Sequence, residues 1–252
     1  MRFKVLLFDL GDTLLYFSGA WPEVFGAARQ AMLANLQSAG LELGQPFLDD
    51  FFERMQAYYR ERDTEFIERT VAYVLRQTLA DWGQAAAPEA LIREALAALH
   101  AVTQAHWLPE VEALPVLYAL RARGYRLGLV SNAADDANTQ TLVDKLGARD
   151  CFDVILSSAA VGVRKPNPQI FRLALDALQA APAQAAMIGD TLGADILGAR
   201  NTGIFSIWVR RRADTPANRA HAETIFPDAQ VENIGDLPGL IDRLEQAAEK
   251  PQ

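Results

Sequence analysis

Apolar positions along this chain follow two rhythms. Five short runs are apolar almost throughout: 3–9 (FKVLLFD), Tyr125–Ser131 (YRLGLVS), Phe152–Ser157 (FDVILS), Ala185–Gly189 (AAMIG) and Ile204–Val209 (IFSIWV). Such runs predict strands buried on both faces, as in a parallel sheet. Helical signals stand between them. Pro115–Arg123 carries Leu117 and Leu120 and stops at Gly124, which suits a left-handed helix end. Asn167 and Pro168 read as an N-cap and a first-turn proline, and Phe171, Leu175 and Leu178 continue as an apolar stripe. Strands alternating with helices predict an α/β fold with a doubly wound, largely parallel, Rossmann-like sheet. Ligands are then expected at the carboxyl ends of the strands.

The stretch from about 20 to 107 has the other rhythm and no strand candidate. A helix is expected from Glu23 to Ala39, with Phe25, Met32 and Leu36 inward and Gly40 as its stop. Ile67, Val71, Val74, Leu75, Thr78 and Trp82 recur at helical spacing up to Gly83, as do Ile92, Leu96, Leu99 and Val102 after Pro88. The expected organisation is a core domain from 1–18 and 108–252 with an all-helical cap domain, 19–107, inserted after the first strand. A cap so placed can close over the crevice and exclude water.

Composition changes this picture little. The chain has 252 residues, half of them hydrophobic, and a net charge of -8. No apolar run approaches the roughly 18 residues that span a bilayer, and no basic stripe is present. Neither a nucleic acid nor a membrane is expected as partner. Acidic Asp9 and Asp12 interrupt the first apolar run, so it does not read as a secretory signal, and a cytoplasmic protein is expected. Arg210, Arg211 and Arg212 read as a solvated loop after a strand. Cys151, the single cysteine, excludes an internal disulfide and reads as buried and inert. His100, His106 and His221 lack metal-ligand spacing and read as surface or packing residues. Monomer and homodimer both stay open.

The strand ends hold the chemistry. Asp9 ends the first strand and opens the turn Leu10-Gly11-Asp12-Thr13. Ser131 and Asn132 end the second, Lys165 and Pro166 follow the third, and Gly189 and Asp190 end the fourth, with Asp195 five residues beyond. Singly, each has a bland reading as a turn, a loop or a helix cap. On successive strand ends of one sheet they make a site.

This order resembles the haloacid dehalogenase superfamily over nearly the whole chain. FDLGDTLL looks like its first motif, LVSN like its second, VRKPNPQIF like its third and IGDTLGADILGARNTG like its fourth. The resemblance implies Asp9 as nucleophile, Ser131 as a hydrogen-bond donor to a phosphoryl group, with Asn132 beside it at the substrate, and Lys165 as charge partner. It implies a magnesium site made by Asp9, the backbone carbonyl of Gly11, Asp190 and Asp195, and a phosphorylated small molecule as substrate. Physical chemistry supports these roles. A carboxylate is repelled by a phosphoryl group, and Mg²⁺, a hard cation that takes oxygen ligands, offsets that repulsion together with an ammonium. Attack by Asp9 would give an aspartyl-phosphate, which water then hydrolyses.

One position departs from the pattern. Most phosphatases of the superfamily carry a second aspartate two residues after the nucleophile as general acid and base. Gly11 stands there, and Asp12 follows. Neighbouring side chains point in different directions on an extended backbone, so Asp12 is not a free substitute. Three outcomes are open: a local shift brings Asp12 into reach, the substrate is an acyl or aryl phosphate whose leaving group needs no proton, or turnover is slow. Asp12 as a turn carboxylate bonding nearby amides is the plain alternative. Two rival functions remain, a halide-releasing dehalogenase using the same aspartate and a phosphate-ligand-binding protein that has lost turnover. Tyr16 and Trp21 are candidates to face the crevice, though each also reads as packing. The isomer of the Lys165–Pro166 bond is not fixed by sequence.

Overall fold

The computed structural model describes residues 2–249. Six parallel strands form its sheet. In chain order they are β1 (Val5–Phe8), β4 (Arg126–Ser131), β5 (Val154–Ser157), β6 (Ala185–Gly189), β7 (Phe205–Val209) and β8 (Ala229–Val231). The spatial order is β5-β4-β1-β6-β7-β8, with every neighbouring pair parallel. The α/β class and doubly wound sheet expected from the apolar runs are therefore present, and each run trims by a residue or two at most. The last strand, β8, has only three residues and too short an apolar signal to be legible.

Alternation along β1 explains the two covered faces. Leu6 and Phe8 point into one core with Leu117 and Leu120 of α5 (Ala113–Ala122), Val143 of α6 (Asp136–Leu146) and Ile241 of α11 (Leu237–Glu249). Val5 and Leu7 point into the other, with Ile170 and Phe171 of α8 (Pro168–Ala177) and Ala199 of α9 (Leu197–Thr202). The local signals hold in detail. Gly124 takes φ +89 after α5, and the Asn167 side chain accepts a hydrogen bond from the Gln169 N–H at the start of α8. Two short helices, α7 (Ser158–Val161) and α10 (Pro216–His221), follow β5 and β7.

Between β1 and α5 the chain runs out through β2 (Leu15–Phe17), makes four helices, and returns through β3 (Trp107–Pro109). The two strands pair antiparallel as a ribbon. The helices are α1 (Trp21–Ser38), α2 (Gln45–Glu65), α3 (Val71–Asp81) and α4 (Glu89–His106). They enclose a core of their own, including Met32, Leu36, Phe47, Phe51, Leu75, Ile92 and Leu96. Among the described residues, no helix is long and apolar enough to cross a membrane.

Two expectations here need correction. Ile67 does not belong to the helix carrying Val71 to Thr78, because α3 begins at Val71 behind its N-cap Thr70. Ile67 is 48% exposed and forms an antiparallel bridge with Val163 of the sheet domain. Trp82 is the C-cap of α3 rather than an inward residue, and its indole N–H donates to Asp50 at 2.8 Å.

The bridge at Ile67 is part of a wider seam. Glu68 N–H donates to Gly162 O at 3.0 Å, Arg164 N–H to Phe66 O at 3.1 Å, and Val71 N–H to Ala134 O at 2.9 Å. The Glu68 side chain is buried and accepts from Tyr58 Oη at 2.5 Å and Ser158 Oγ at 2.7 Å, with Arg62 and Arg164 each 3.8 Å away. A buried carboxylate persists where donors and cations surround it in this way.

Candidate active site at the carboxyl edge of the sheet

β1 lies between β4 and β6, so the chain after these three strands converges at the point where the winding reverses. Asp9 follows β1 and donates its N–H to Ile188 O at 2.9 Å. Ser131 is the last residue of β4, Asp190 follows β6, and Asp195 lies in one turn of wider, π-type helix over Leu192–Ile196. Gly189 lets that turn fold back under the strand. A Cβ there would lie 2.3 Å from the Asp195 carboxyl carbon, closer than atoms can approach.

Lys165 reaches this point from the loop before α8. Its Nζ lies 2.5 Å from Asp9 Oδ1 and 2.7 Å from Asp195 Oδ1, and it donates to Val130 O at 2.6 Å. The loop is held by Asn132, whose Nδ2 donates to Lys165 O at 2.9 Å while its Oδ1 accepts from Lys165 N–H at 2.8 Å. The Lys165–Pro166 peptide is cis. Thus Asp9, Lys165, Asp190 and Asp195, scattered over 187 positions of sequence, meet in one place.

The electrostatics follow from burial. Asp9, Lys165, Asp190 and Asp195 are each at most 8% exposed. Burial pushes the Asp9 carboxyl up to about 6, against the pull of Lys165. Burial, reinforced by the charges of Asp9 and Asp195, raises Asp190 well above the usual carboxylate range. Burial opposes the charge on Lys165, but Asp195 and Asp9 outweigh it and hold its pKa above the ordinary value. Oxygen atoms of Asp9, Asp190 and Asp195 lie within 4.8 Å of one another. With all three carboxyls ionised, they would face the one ammonium with an excess of two negative charges, an excess that their raised pKa values show the site does not tolerate alone. An all-oxygen donor set with that excess fits a hard divalent cation.

The remaining site residues lie around this cluster. Ser131, Asn132, Gly11 and Asp12 all line the same cavity. Asp12 adopts the left-handed conformation, φ +54, which is uncommon for a residue with a side chain. Burial raises its pKa, with Arg212 pulling it down and Glu110 pushing it up. The extended backbone assumed for this turn is therefore wrong at Asp12.

Three further sequence readings change. Arg211 and Arg212 are not merely solvated: Arg212 bonds Glu110 and lies 3.8 Å over the Tyr16 ring, while Arg211 lies 3.3 Å from Glu110. Tyr16 thus supports Arg212 and is absent from the cavity lining, whereas Trp21 is part of it. His100 also lines the cavity, with Nε2 3.4 Å from Asp135. Cys151 is buried, as expected.

Some residues that shape the site were missed from sequence. The buried Asn218 accepts from Leu192 N–H at 2.7 Å and donates to Asp190 O at 2.9 Å, and Trp208 Nε1 donates to the same carbonyl at 2.7 Å. They fix the backbone that carries Asp190 and the turn to Asp195. Asn218 sits in a polar loop-helix stretch that looks like any other, so only the fold reveals it.

Fold and site together define an α/β protein with a lysine-bridged acidic cleft at its switch point. Residues 3–203 match the model of haloacid dehalogenase-like hydrolases. A glyceraldehyde 3-phosphate phosphatase of Methanothermobacter thermautotrophicus is 31% identical over 94% of this chain and 99% of its own. A phosphoserine phosphatase of Thermus thermophilus is 33% identical over 76% of this chain and 68% of its own. A 2-haloacid dehalogenase structure from Pseudomonas syringae pv. Tomato superposes with a TM-score of 0.69 at 24% identity, covering 96% of this chain and 99% of that one, a likeness of fold. The chain belongs to the haloacid dehalogenase-like hydrolases.

Proposed function

We propose that the chain is a magnesium-dependent phosphohydrolase that removes phosphate from a small molecule through an aspartyl-phosphate at Asp9. The observation that carries this reading is the Lys165 ammonium set 2.5 Å from Asp9 and 2.7 Å from Asp195 inside a buried acidic cluster. Relatives named as phosphatases support the same substrate class.

Asp9, Asp190 and Asp195 would hold Mg²⁺, with the carbonyl of Gly11. When bound, the ion supplies positive charge that offsets repulsion between the attacking carboxylate and the phosphate oxygens. The protein groups do the rest. An Asp9 oxygen attacks phosphorus, an Asp9 O–P bond forms, and the bond from phosphorus to the leaving oxygen breaks. Lys165 and the Ser131 hydroxyl stabilise the phosphoryl oxygens as that exchange proceeds. Asp12 gives the departing alkoxide its proton. Its left-handed backbone and place in the cavity wall support this role, and burial keeps its carboxyl protonated to higher pH. Water then attacks phosphorus while Asp12 takes back a proton from it; the Asp9 O–P bond breaks, phosphate leaves, and the Asp9 carboxylate and the Asp12 acid are restored. Residues 19–107 act as the cap, with the β2–β3 ribbon as the hinge.

A dehalogenase would use Asp9 without metal. Two further carboxylates beside the nucleophile would then repel an anionic haloacid, and the cluster therefore favours the phosphate reading. The test is release of phosphate from p-nitrophenyl phosphate or acetyl phosphate with magnesium. Asp9→Asn should reduce it by about 10³-fold or more, while circular dichroism stays native. Retention of most activity by that variant would overturn the chemistry.

A further inference from the structure

Beyond the acidic cluster the cavity continues between the sheet and the helices, to about 450 Å³ in all. That falls within the roughly 300–1,000 Å³ of small-ligand sites. Its far wall is apolar and largely aromatic: Trp21, Phe25, Phe52, Met55, Tyr59 and Leu99 line it. The rings form one continuous surface. Trp21 stacks on Phe25 with centroids 5.5 Å apart and planes 13° from parallel, and Phe25 meets Phe52 edge-on at 5.2 Å.

Several polar side chains in the same lining are turned to protein partners, while His100 Nε2 lies in ion-pair reach of Asp135 without a hydrogen bond. Thr103 Oγ1 donates to His100 O at 3.0 Å, and Asn138 Oδ1 accepts from Gln104 at 2.9 Å. Arg164 lies beside the buried Glu68. A polyhydroxylated leaving group held here would place most of its hydroxyls against ring faces, losing more water contacts than the His100 ring nitrogen could replace. An aromatic group would replace water at those faces and stack on them.

We infer that the alcohol released from the phosphate is an apolar, aromatic-bearing one, selected by the Trp21–Phe25–Phe52 wall. This inference rests on the phosphatase reading and names its substrate class. Leaving-group chemistry must be held constant in the test, so the comparison uses primary alkyl phosphates only: 2-phenylethyl phosphate, ethyl phosphate and glycerol 1-phosphate. The aromatic ester should show about tenfold or higher kcat/KM than either of the others. Trp21 is 48% exposed, so its loss should leave the core intact, and Trp21→Ala should shrink the phenylethyl-to-ethyl ratio by roughly fivefold.

A binding arm is independent of turnover. With magnesium present, calorimetry should find 3-phenylpropylphosphonate about tenfold tighter than propylphosphonate, and the Trp21→Ala and Phe25→Ala variants should narrow that gap. Equal binding of the two phosphonates, or glycerol 1-phosphate matching the aromatic ester, would overturn the inference. Failure to hydrolyse even acetyl phosphate would instead remove the phosphatase reading, and the phosphonate comparison would still decide the pocket's preference.

Discussion

The indole of Trp107 covers Gly11: a Cβ at residue 11 would lie 3.4 Å from Trp107 Cη2. Trp107 opens β3, and Phe17 of the paired strand meets it edge-on at 5.5 Å. A side chain at position 11 would start in ordinary contact with the ribbon that leads into the helices, and the next residue, Asp12, turns left-handed at φ +54.

This arrangement predicts an asymmetric defect. Asp12→Asn keeps a residue that tolerates positive φ while removing the proton. It should slow hydrolysis of alkyl phosphates by about 10²-fold and of acetyl phosphate much less. Equal slowing of both esters in steady-state assays would assign Asp12 to the turn alone. Gly11→Asp combined with Asp12→Gly, whose new Cβ at residue 11 meets Trp107 only in ordinary contact, should speed alkyl phosphates more than acetyl phosphate.

Asn132 is predicted to act through Lys165. Its two hydrogen bonds hold the lysine's backbone, so Asn132→Ala should lower kcat by about 10–100-fold. KM and the melting temperature should hardly move. A purely structural role would instead lower the melting temperature and leave kcat of the folded fraction unchanged.

Magnesium should stabilise the protein as well as activate it. Burial, with the charges of Asp9 and Asp195 added, raises Asp190; a divalent cation offsets both, and saturation at a hundred times Kd contributes about 2.7 kcal/mol. Differential scanning fluorimetry should show a rise in Tm with magnesium that chelator reverses and Asp190→Asn abolishes. A Tm indifferent to magnesium would count against the cluster as a metal site.

A pH effect is expected far from the cleft. Burial works to raise Glu245, but the N–H groups of Arg2 and Phe3 and the Tyr125 hydroxyl outweigh it and hold its carboxyl below the ordinary range. Burial, with Glu245 beside it, pushes Tyr125 up to about 12. A depressed folded pKa means that this stabilisation is complete above the unfolded value, about 4.3, and fades as pH falls through the folded one. Glu245→Gln should cost about 1 kcal/mol or less at neutral pH, because solvent screens a site this open, measured by urea unfolding. The gap from wild type should begin to narrow as pH falls below about 4.3 and close once it passes the depressed folded value, and a gap that acid does not narrow would refute the assignment.

Strands buried on both faces leave a composition signal that needs no context, and for that reason β1, β4, β5, β6 and β7 were legible from residues alone. The catalytic candidates Asp9, Ser131 and Asp190 were legible for a related cause, since each stands at the polar end of such a run; Lys165 and Asp195 lie several residues beyond one. What escaped depended on long-range geometry. Ile67 continues the apolar spacing of α3, yet it serves a bridge to Val163, 96 positions away. Arg212 reads as a surface charge because Glu110 and Tyr16, its partners, lie about a hundred and two hundred positions upstream. The three-residue strands β2, β3 and β8 are too short for any period to emerge. The turn at Asp12 was misjudged because nothing in Leu10-Gly11-Asp12-Thr13 announces a left-handed aspartate.

The seam between residues 66–71 and 162–164 has a consequence for access. A lobe hung from the ribbon alone could swing outward and leave the cleft intact. This one is also stitched to the residue just ahead of Lys165, through the bond from Arg164 N–H to Phe66 O. Any outward swing must therefore either break the seam's backbone bonds or carry residues 162–164 along with it, and Lys165 is the next residue in the chain.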